Sequence, residues 1–304
     1  MPDKQQAGRS SDAAAAGGGK PVAAGCGPAG ALPDLHCLAG VRALANIGVV
    51  VLHSYMLWQF FLDHDTKYEL TRGNAVVKLA SAGMFWVDVL LILSTMLAAH
   101  QLLPRLEDTS SDAPSCAAVV RAYWRRRAAR LLPGYLLANL LILLALGPAE
   151  GIPEQAAAAR WINFYWCPGA AWVNLLFAQN WLGVRACATH FWTVALQVQF
   201  FAAFPLLLWA LRPRAPGFRA RLAAALAAAF AGGTAWRLWA VSSVHFMELP
   251  VADFAVDEPS QLSWANMLAA SYLPTASRIA QLAGGAALGT LLRSPAALHC
   301  VQRK

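Results

Sequence analysis

The chain has 304 residues, of which 58% are hydrophobic and only 13% charged. Its mean hydropathy of +0.45 excludes an ordinary soluble domain and points to a membrane protein. The formal charge of +8 comes from arginines in short runs beside apolar windows, a positive-inside pattern that argues against nucleic acid as a partner.

The first 35 residues are rich in Ala, Gly and Pro and hold no continuous apolar core of the signal-peptide type. They read as a disordered leader over 1–35, followed by one transmembrane domain over 36–304. Apolar windows near 20 residues, the length that crosses a hydrocarbon core as a helix, then recur along the chain. A first span is predicted over Ala43–Leu62 and a second over Leu79–Ala99. The turn-forming connector "PRLEDTSSDAPS" follows. The segment "RAYWRRRAARLLPGYLLANLLILLALG" is basic first and apolar second. It reads as an interfacial helix entering a third span near Leu131–Leu146, with Pro133 as a kink or start.

A tryptophan-rich loop over 148–190 leads to a fourth span near Phe191–Leu211. A fifth is expected near Leu222–Val241, with Arg237 inside it, and a sixth over Ala280–Leu292. Backbone groups in lipid must be satisfied within the segment, so the expectation is an all-α, polytopic transmembrane helix bundle of about six spans. If the spans alternate, the arginine clusters at 121–130, 212–221 and 293–304 share one side, the cytosolic one. The loops 63–78, 148–190 and 242–273 then face the lumen or exterior.

Several polar residues stand out against this apolar background. In "RALANIGVVVLH", Arg42 and His53 are eleven positions apart, so on a helix they lie on nearly one face, about 16 Å apart along the axis. Arg42 alone reads as a positive-inside anchor. His53 is balanced between a helix–helix hydrogen bond and a functional role, which is the default for an ionisable group in a span. Asp88 lies in the second span, where a carboxylate must pair, be protonated or line a polar cavity. It could orient the His53 imidazole, or make a structural bond near Ser94 or Arg42.

Arg127 and Arg130 share a helix face at i, i+3. Two guanidiniums so placed can clamp phosphates, although from the run alone topology signalling or headgroup contact is the simpler reading. Gln197 and Gln199 read as polar contacts between helices. Cys167 and Cys187, in a loop assigned to the lumenal side, are compatible with a disulfide. No metal-ligand spacing, phosphate-binding glycine loop or nucleophilic Ser or Cys motif is found, and no permanently bound cofactor is expected.

Taken together, these motifs resemble the acyltransferase-3 family of integral membrane acyltransferases, and within it the nose-resistant-to-fluoxetine branch. The resemblance covers roughly residues 35 to 293. It starts at "CLAGVRALANIGVVVLH", where the family's first span carries an arginine, ten residues, then a histidine. "FWVDVLLILSTML" is similar to its aspartate-containing second span, with Ser94-Thr95 in place of the usual Ser-Gly pair. "WRRRAARLLPGY" matches its Arg-x-x-Arg segment at Arg127 and Arg130. "WVNLLFAQN" and "THFWTVALQVQFFAAFP" match the branch's Cys, Asn and Trp landmarks, and "YLPTASRIAQLAGGAALG" a later Arg- and Gly-containing span.

The resemblance implies transfer of an acyl group from a cytosolic donor, acyl-CoA, to a hydroxyl acceptor of unspecified identity at or across a membrane. It gives His53 the role of essential base and makes Arg42, Arg127 and Arg130 the donor-binding cations; Asp88 joins His53 as a catalytic candidate on its own chemistry in the second span. Membrane lipids, the acyl-CoA donor and the acceptor are the expected partners. Two departures accompany it. Gln197 stands where the family commonly has an acidic residue, and the family continues through further spans beyond the position of Lys304, so an incomplete C-terminus is expected. The alternative is a relative that keeps the fold as a lipid or small-molecule transporter or a scaffold.

Overall fold

The computed structural model describes residues 37–59, 74, 75, 79, 83–145, 167–182, 187–243 and 272–293. Its long elements are α1 (Cys37–Gln59), α2 (Met84–Glu107), α3 (Cys116–Ala145), α4 (Cys167–Leu175), α5 (Trp192–Ala210), α6 (Phe218–Ser243) and α7 (Thr275–Leu291). Two short 3-10 turns, Gln179–Trp181 and Thr189–Phe191, lie between α4 and α5. No strand occurs among the described residues, so the all-α bundle expected from hydropathy is what forms. The expected leader lies outside the described residues.

Four helices, α1, α2, α3 and α5, are long and apolar enough to cross a membrane by length and composition. The expected fifth and sixth spans also form helices, α6 and α7, but neither meets that measure; α7 has only 17 residues. Of the two expectations at Pro133, a kink or a helix start, the start does not occur. α3 runs unbroken through Pro133 for 30 residues, about 45 Å at the helical rise, so the basic segment and the apolar span are one rod. Ser115 starts that rod by accepting the Ala118 N–H on its side-chain oxygen at 3.2 Å, an N-cap.

Contacts fix the direction in which each helix runs. Asp88 of α2 meets Arg278 of α7, and further along both helices Thr95 lies against Gly285 and Met96 against Gly289. α2 and α7 are therefore parallel. α5 runs the same way, because Val87 and Leu91 cluster with Trp192 and Leu196, while Leu102 and Leu106 cluster with Phe204 and Leu208. α6 is antiparallel to α7: Gly233 abuts Ile279 and Ala280, and Phe230 lies beside Gly284. α3 begins among the residues that end α2, through Val119, Val120 and Tyr123. Successive long helices from α2 onward thus alternate in direction, the pattern of a chain that threads back and forth.

Small residues let the central helices touch. A Cβ built on Gly285 would stand 2.1 Å from Thr95 Oγ1 and 2.5 Å from the Ile92 carbonyl oxygen. One on Gly289 would stand 2.3 Å from the Met96 carbonyl oxygen. This four-residue glycine spacing is the close-packing device of membrane helices. Thr95, which replaces the glycine of the related pattern, is accommodated by Gly285 opposite; its hydroxyl donates back to the Leu91 and Ile92 carbonyls, each at 3.1 Å. Gly48 of α1 is similarly pressed against the Trp86 indole of α2.

Candidate functional site

His53 lies in the last two turns of α1. Its Nδ1 donates to the Val49 carbonyl oxygen at 2.8 Å. A carbonyl only accepts, so this bond fixes the proton on Nδ1 and leaves the Nε2 lone pair available as a base. One turn back, Val49 packs on the cluster that contains Val87, Leu91 and Trp192, which sets α1 against the start of α2 and α5. The imidazole remains exposed.

A second histidine, His190, approaches from the turn that opens α5, its ring 4.3 Å from that of Phe191. It keeps an exposed edge, yet the dense surroundings and the nearby His53 push its pKa down to about 4. Desolvation is the larger cause, because a positive imidazolium loses water there that nothing replaces.

Asp88 does not pair with His53. Its Oδ1 accepts from Arg278 Nη1 at 2.5 Å. Arg278 is almost wholly enclosed: Nε donates to the Tyr272 carbonyl oxygen at 2.8 Å, and the guanidinium lies 3.9 Å from the Tyr272 ring centroid and 5.3 Å from that of Trp192. The physical reason for this pairing is cost. An unpaired guanidinium in an apolar bundle needs a carboxylate and π faces more than a neutral imidazole needs an aspartate.

Of the arginines expected to bind the donor, Arg127 and Arg130 lie toward the opposite end, beside the Tyr123–Phe201 part of the core. Arg127 lies between two rings, 4.4 Å from the Phe201 centroid and 5.3 Å from that of Tyr123. Arg130 is exposed three residues on. Arg126 sits in the field of Arg125, Arg127, Arg130 and also Arg105, the last being a cation from α2 that the linear pattern did not associate with the run. Trp124 Nε1 donates to the Phe201 carbonyl oxygen at 3.0 Å and fixes this face of α3 to α5. Arg42 is exposed near the start of α1. At the end of α2, Glu107 pairs with Arg219 of α6 at 2.8 Å on the surface.

The loop between α4 and α5 is bound down by amides. Tyr135 of α3 donates its hydroxyl to the Asn174 carbonyl oxygen at 2.9 Å and accepts from Gln179 Nε2 at 2.9 Å. Asn174 Nδ2 donates to Asn139 Oδ1 at 2.6 Å and to the Cys187 carbonyl oxygen at 3.1 Å. Gln199 Nε2 donates to Asn180 Oδ1 at 2.9 Å and to the Phe177 carbonyl oxygen at 2.6 Å, while Thr275 donates to Gln199 Oε1. Asn180 completes the ring through Thr275 Oγ1 at 3.0 Å.

Gln199 is therefore interhelical glue, as its sequence context suggests; Gln197 makes no such bond among the described residues. Phe177 and Ala188 both hold positive φ, 52° and 50°, strain that the network sustains. Cys187 is disulfide-bonded; the side chain of Cys167 lies outside the described residues.

Sequence reasoning did not single out Arg105, and it met Arg278 only as the arginine of the later family-like span, with no role or partner. A composition-level signal existed for Arg278, since an arginine in an Ala- and Gly-rich span has to be paired.

Comparison with known proteins agrees with this picture. A family model described as an acyltransferase domain (Acyl_transf_3) matches residues 35–274. Proteins of Staphylococcus aureus strains COL, MSSA476 and N315, each named as a candidate O-acetyltransferase, are 24% identical over 180 residues. That alignment covers 56% of this chain and 24% of each relative, so the chain matches about a quarter of their length. No solved structure matches. With the larger part of its length under the family model and four helices long and apolar enough to cross a membrane, the chain belongs to the acyltransferase-3 family of membrane acyltransferases.

Proposed function

We propose that this chain is a multi-pass O-acyltransferase of the nose-resistant-to-fluoxetine-like branch, moving an acyl group from acyl-CoA to a hydroxyl acceptor. The observation that carries the reading is the His53 tautomer: with Nδ1 committed to the Val49 carbonyl, Nε2 can take the acceptor's hydroxyl proton. The resulting alkoxide-like oxygen attacks the thioester carbonyl, the carbon–sulfur bond breaks, and the thiolate leaves as CoA. The neutral His190 beside His53 supports the base, because a second imidazolium would discourage protonation of the first.

Arg127, Arg130 and Arg42 are assigned to the phosphates of the donor, where guanidiniums provide paired hydrogen bonds. Arg127 and Arg130 are supported by position: they belong to the basic run that the positive-inside rule makes cytosolic, where Arg105 adds a further charge; Arg42 is carried by the resemblance alone. Asp88 is reassigned within the site. It positions α7 through Arg278 rather than orienting His53. No bound cofactor is invoked. The branch assignment draws on the resemblance of "WVNLLFAQN" and "THFWTVALQVQFFAAFP" to the branch's landmark segments.

The test is acyl transfer from labelled acyl-CoA in membranes containing the wild type, His53→Ala or His53→Gln. Loss of transfer in both variants, with normal membrane levels, supports the assignment. Equal activity in all three refutes the role of His53, and no transfer in any would favour a transporter or scaffold.

A further inference from the structure

Arg278 makes one ion pair and one backbone hydrogen bond, but its Nη2 is buried with no partner. Buried donors are nearly always satisfied, and an exception calls for an explanation. A second guanidinium stands close by. Arg237 lies one turn beyond Gly233, where α6 and α7 are in backbone contact. Gln281 joins the two arginines: its amide, turned with oxygen toward Arg237, accepts from Arg237 Nη1 at 2.5 Å and donates to the Arg278 carbonyl oxygen at 3.2 Å. Asp88 is the carboxylate at this cluster among the described residues, and Arg278 also lies in the repulsive field of Arg237, so two guanidiniums stand near one negative charge. The Tyr272 phenol is pushed up to about 12, chiefly by burial, and therefore stays a hydrogen-bond donor. Apart from Asp88, the side chains at this cluster that a guest would meet, Arg278, Arg237 and Tyr272, offer a proton or a positive charge.

We propose that Arg278, walled by Tyr272 and Trp192, and Arg237 beside it receive an anionic group, a carboxylate or a phosphate, entering from the end of the bundle where α2 and α7 begin. The guest supplies the second negative charge and the acceptor that Nη2 needs. The bearer is the hydroxyl acceptor if the acyltransferase reading holds; the binding itself does not depend on that reading. The same chemistry could come from a soluble sugar acid or from a lipid headgroup, and the experiment separates them.

Thermal unfolding of the purified full chain in neutral detergent is followed with glucuronate, inorganic phosphate or phosphatidylglycerol, against glucose and phosphatidylcholine as neutral or zwitterionic controls. Anions should give a saturable rise of roughly 5 °C at a hundredfold excess over Kd. The rise should be lost in Arg237→Gln, partly kept in Arg237→Lys, and retained in R127Q/R130Q, which removes the cytosolic pair. A response to glucuronate or phosphate identifies a soluble acceptor, and one confined to phosphatidylglycerol a lipid headgroup. No stabilisation by any anion, or an equal response in Arg237→Gln, overturns the proposal. An Arg237-dependent response in a chain that transfers no acyl group would leave this site standing while the acyltransferase reading fails, and active transfer without the response would do the reverse.

Discussion

Asp88 and Arg278 are 190 residues apart in sequence and 2.5 Å apart in space. The Arg278 side chain is 1% exposed and that of Asp88 24%, so the pair is sealed on one side and open on the other. Removing one partner of a buried pair costs about 3–5 kcal/mol. Asp88→Asn should fall at the low end, about 3 kcal/mol, because of its remaining solvent access. Denaturation of the purified chain measures it. The double change Asp88→Ala with Arg278→Met should recover part of that loss, and a fully additive result would mean the two residues are not coupled.

The glycines of α7 separate contact from mere presence. At Gly285 a new Cβ meets Thr95 and backbone at 2.1–2.5 Å, whereas at Gly284 it meets only the Phe230 ring at 3.7 Å. Gly285→Ala should destabilise by about 1–3 kcal/mol. Gly284→Ala should be neutral or stabilise by about 0.5 kcal/mol through the unfolded chain. Melting temperatures of the two variants provide the comparison, and equal shifts would deny the close packing of α2 on α7.

Arg127 is held between aromatic rings, so it is pre-placed and its loss should act on binding. Arg127→Gln is expected to raise the KM for acyl-CoA about tenfold, equivalent to roughly 1.4 kcal/mol, with kcat little changed. Arg127→Lys should rescue only part, since an ammonium lacks the planar fork. Steady-state kinetics on the two variants would show it; a fall in kcat alone would put Arg127 outside donor binding.

His190 titrates in a way that links pH to stability. Its pKa in the fold, about 4, is below the ordinary 6.5, so between those values the unfolded chain binds the proton and the folded chain does not. Its contribution is fully present above pH 6.5, declines as pH falls toward 4, and changes no further below that. His190→Gln should flatten this part of the stability profile. Unfolding midpoints from pH 4 to 7.5 on both chains would test it, and parallel profiles would contradict the prediction.

Hydropathy made the helices legible because lipid demands long, apolar, self-satisfied segments, and α1, α2, α3 and α5 follow directly from it. The Arg42–His53 spacing was legible for the same reason, since a helix converts sequence distance into geometry. What could not be read were partners across the bundle. Nothing near Asp88 announces Arg278, and nothing near Thr95 announces Gly285, because each pair depends on how distant helices are set side by side. Pro133 left a kink and a helix start both open in the sequence, and α3 continuing through it excludes the start. The amide network around Tyr135 and Asn174 is a loop property that no periodicity encodes.

The parallel course of α2 and α7 has a consequence for assembly. A threading chain can bring two parallel neighbours together only after the intervening helices α3, α5 and α6 have been laid down. During synthesis the Asp88 carboxylate therefore waits through most of the chain for its cation, in surroundings that penalise a lone charge. The closing of that ion pair comes late, and it joins one of the first long segments made to the last one described. It would serve as a built-in check that the helices between them have entered in the right order and number.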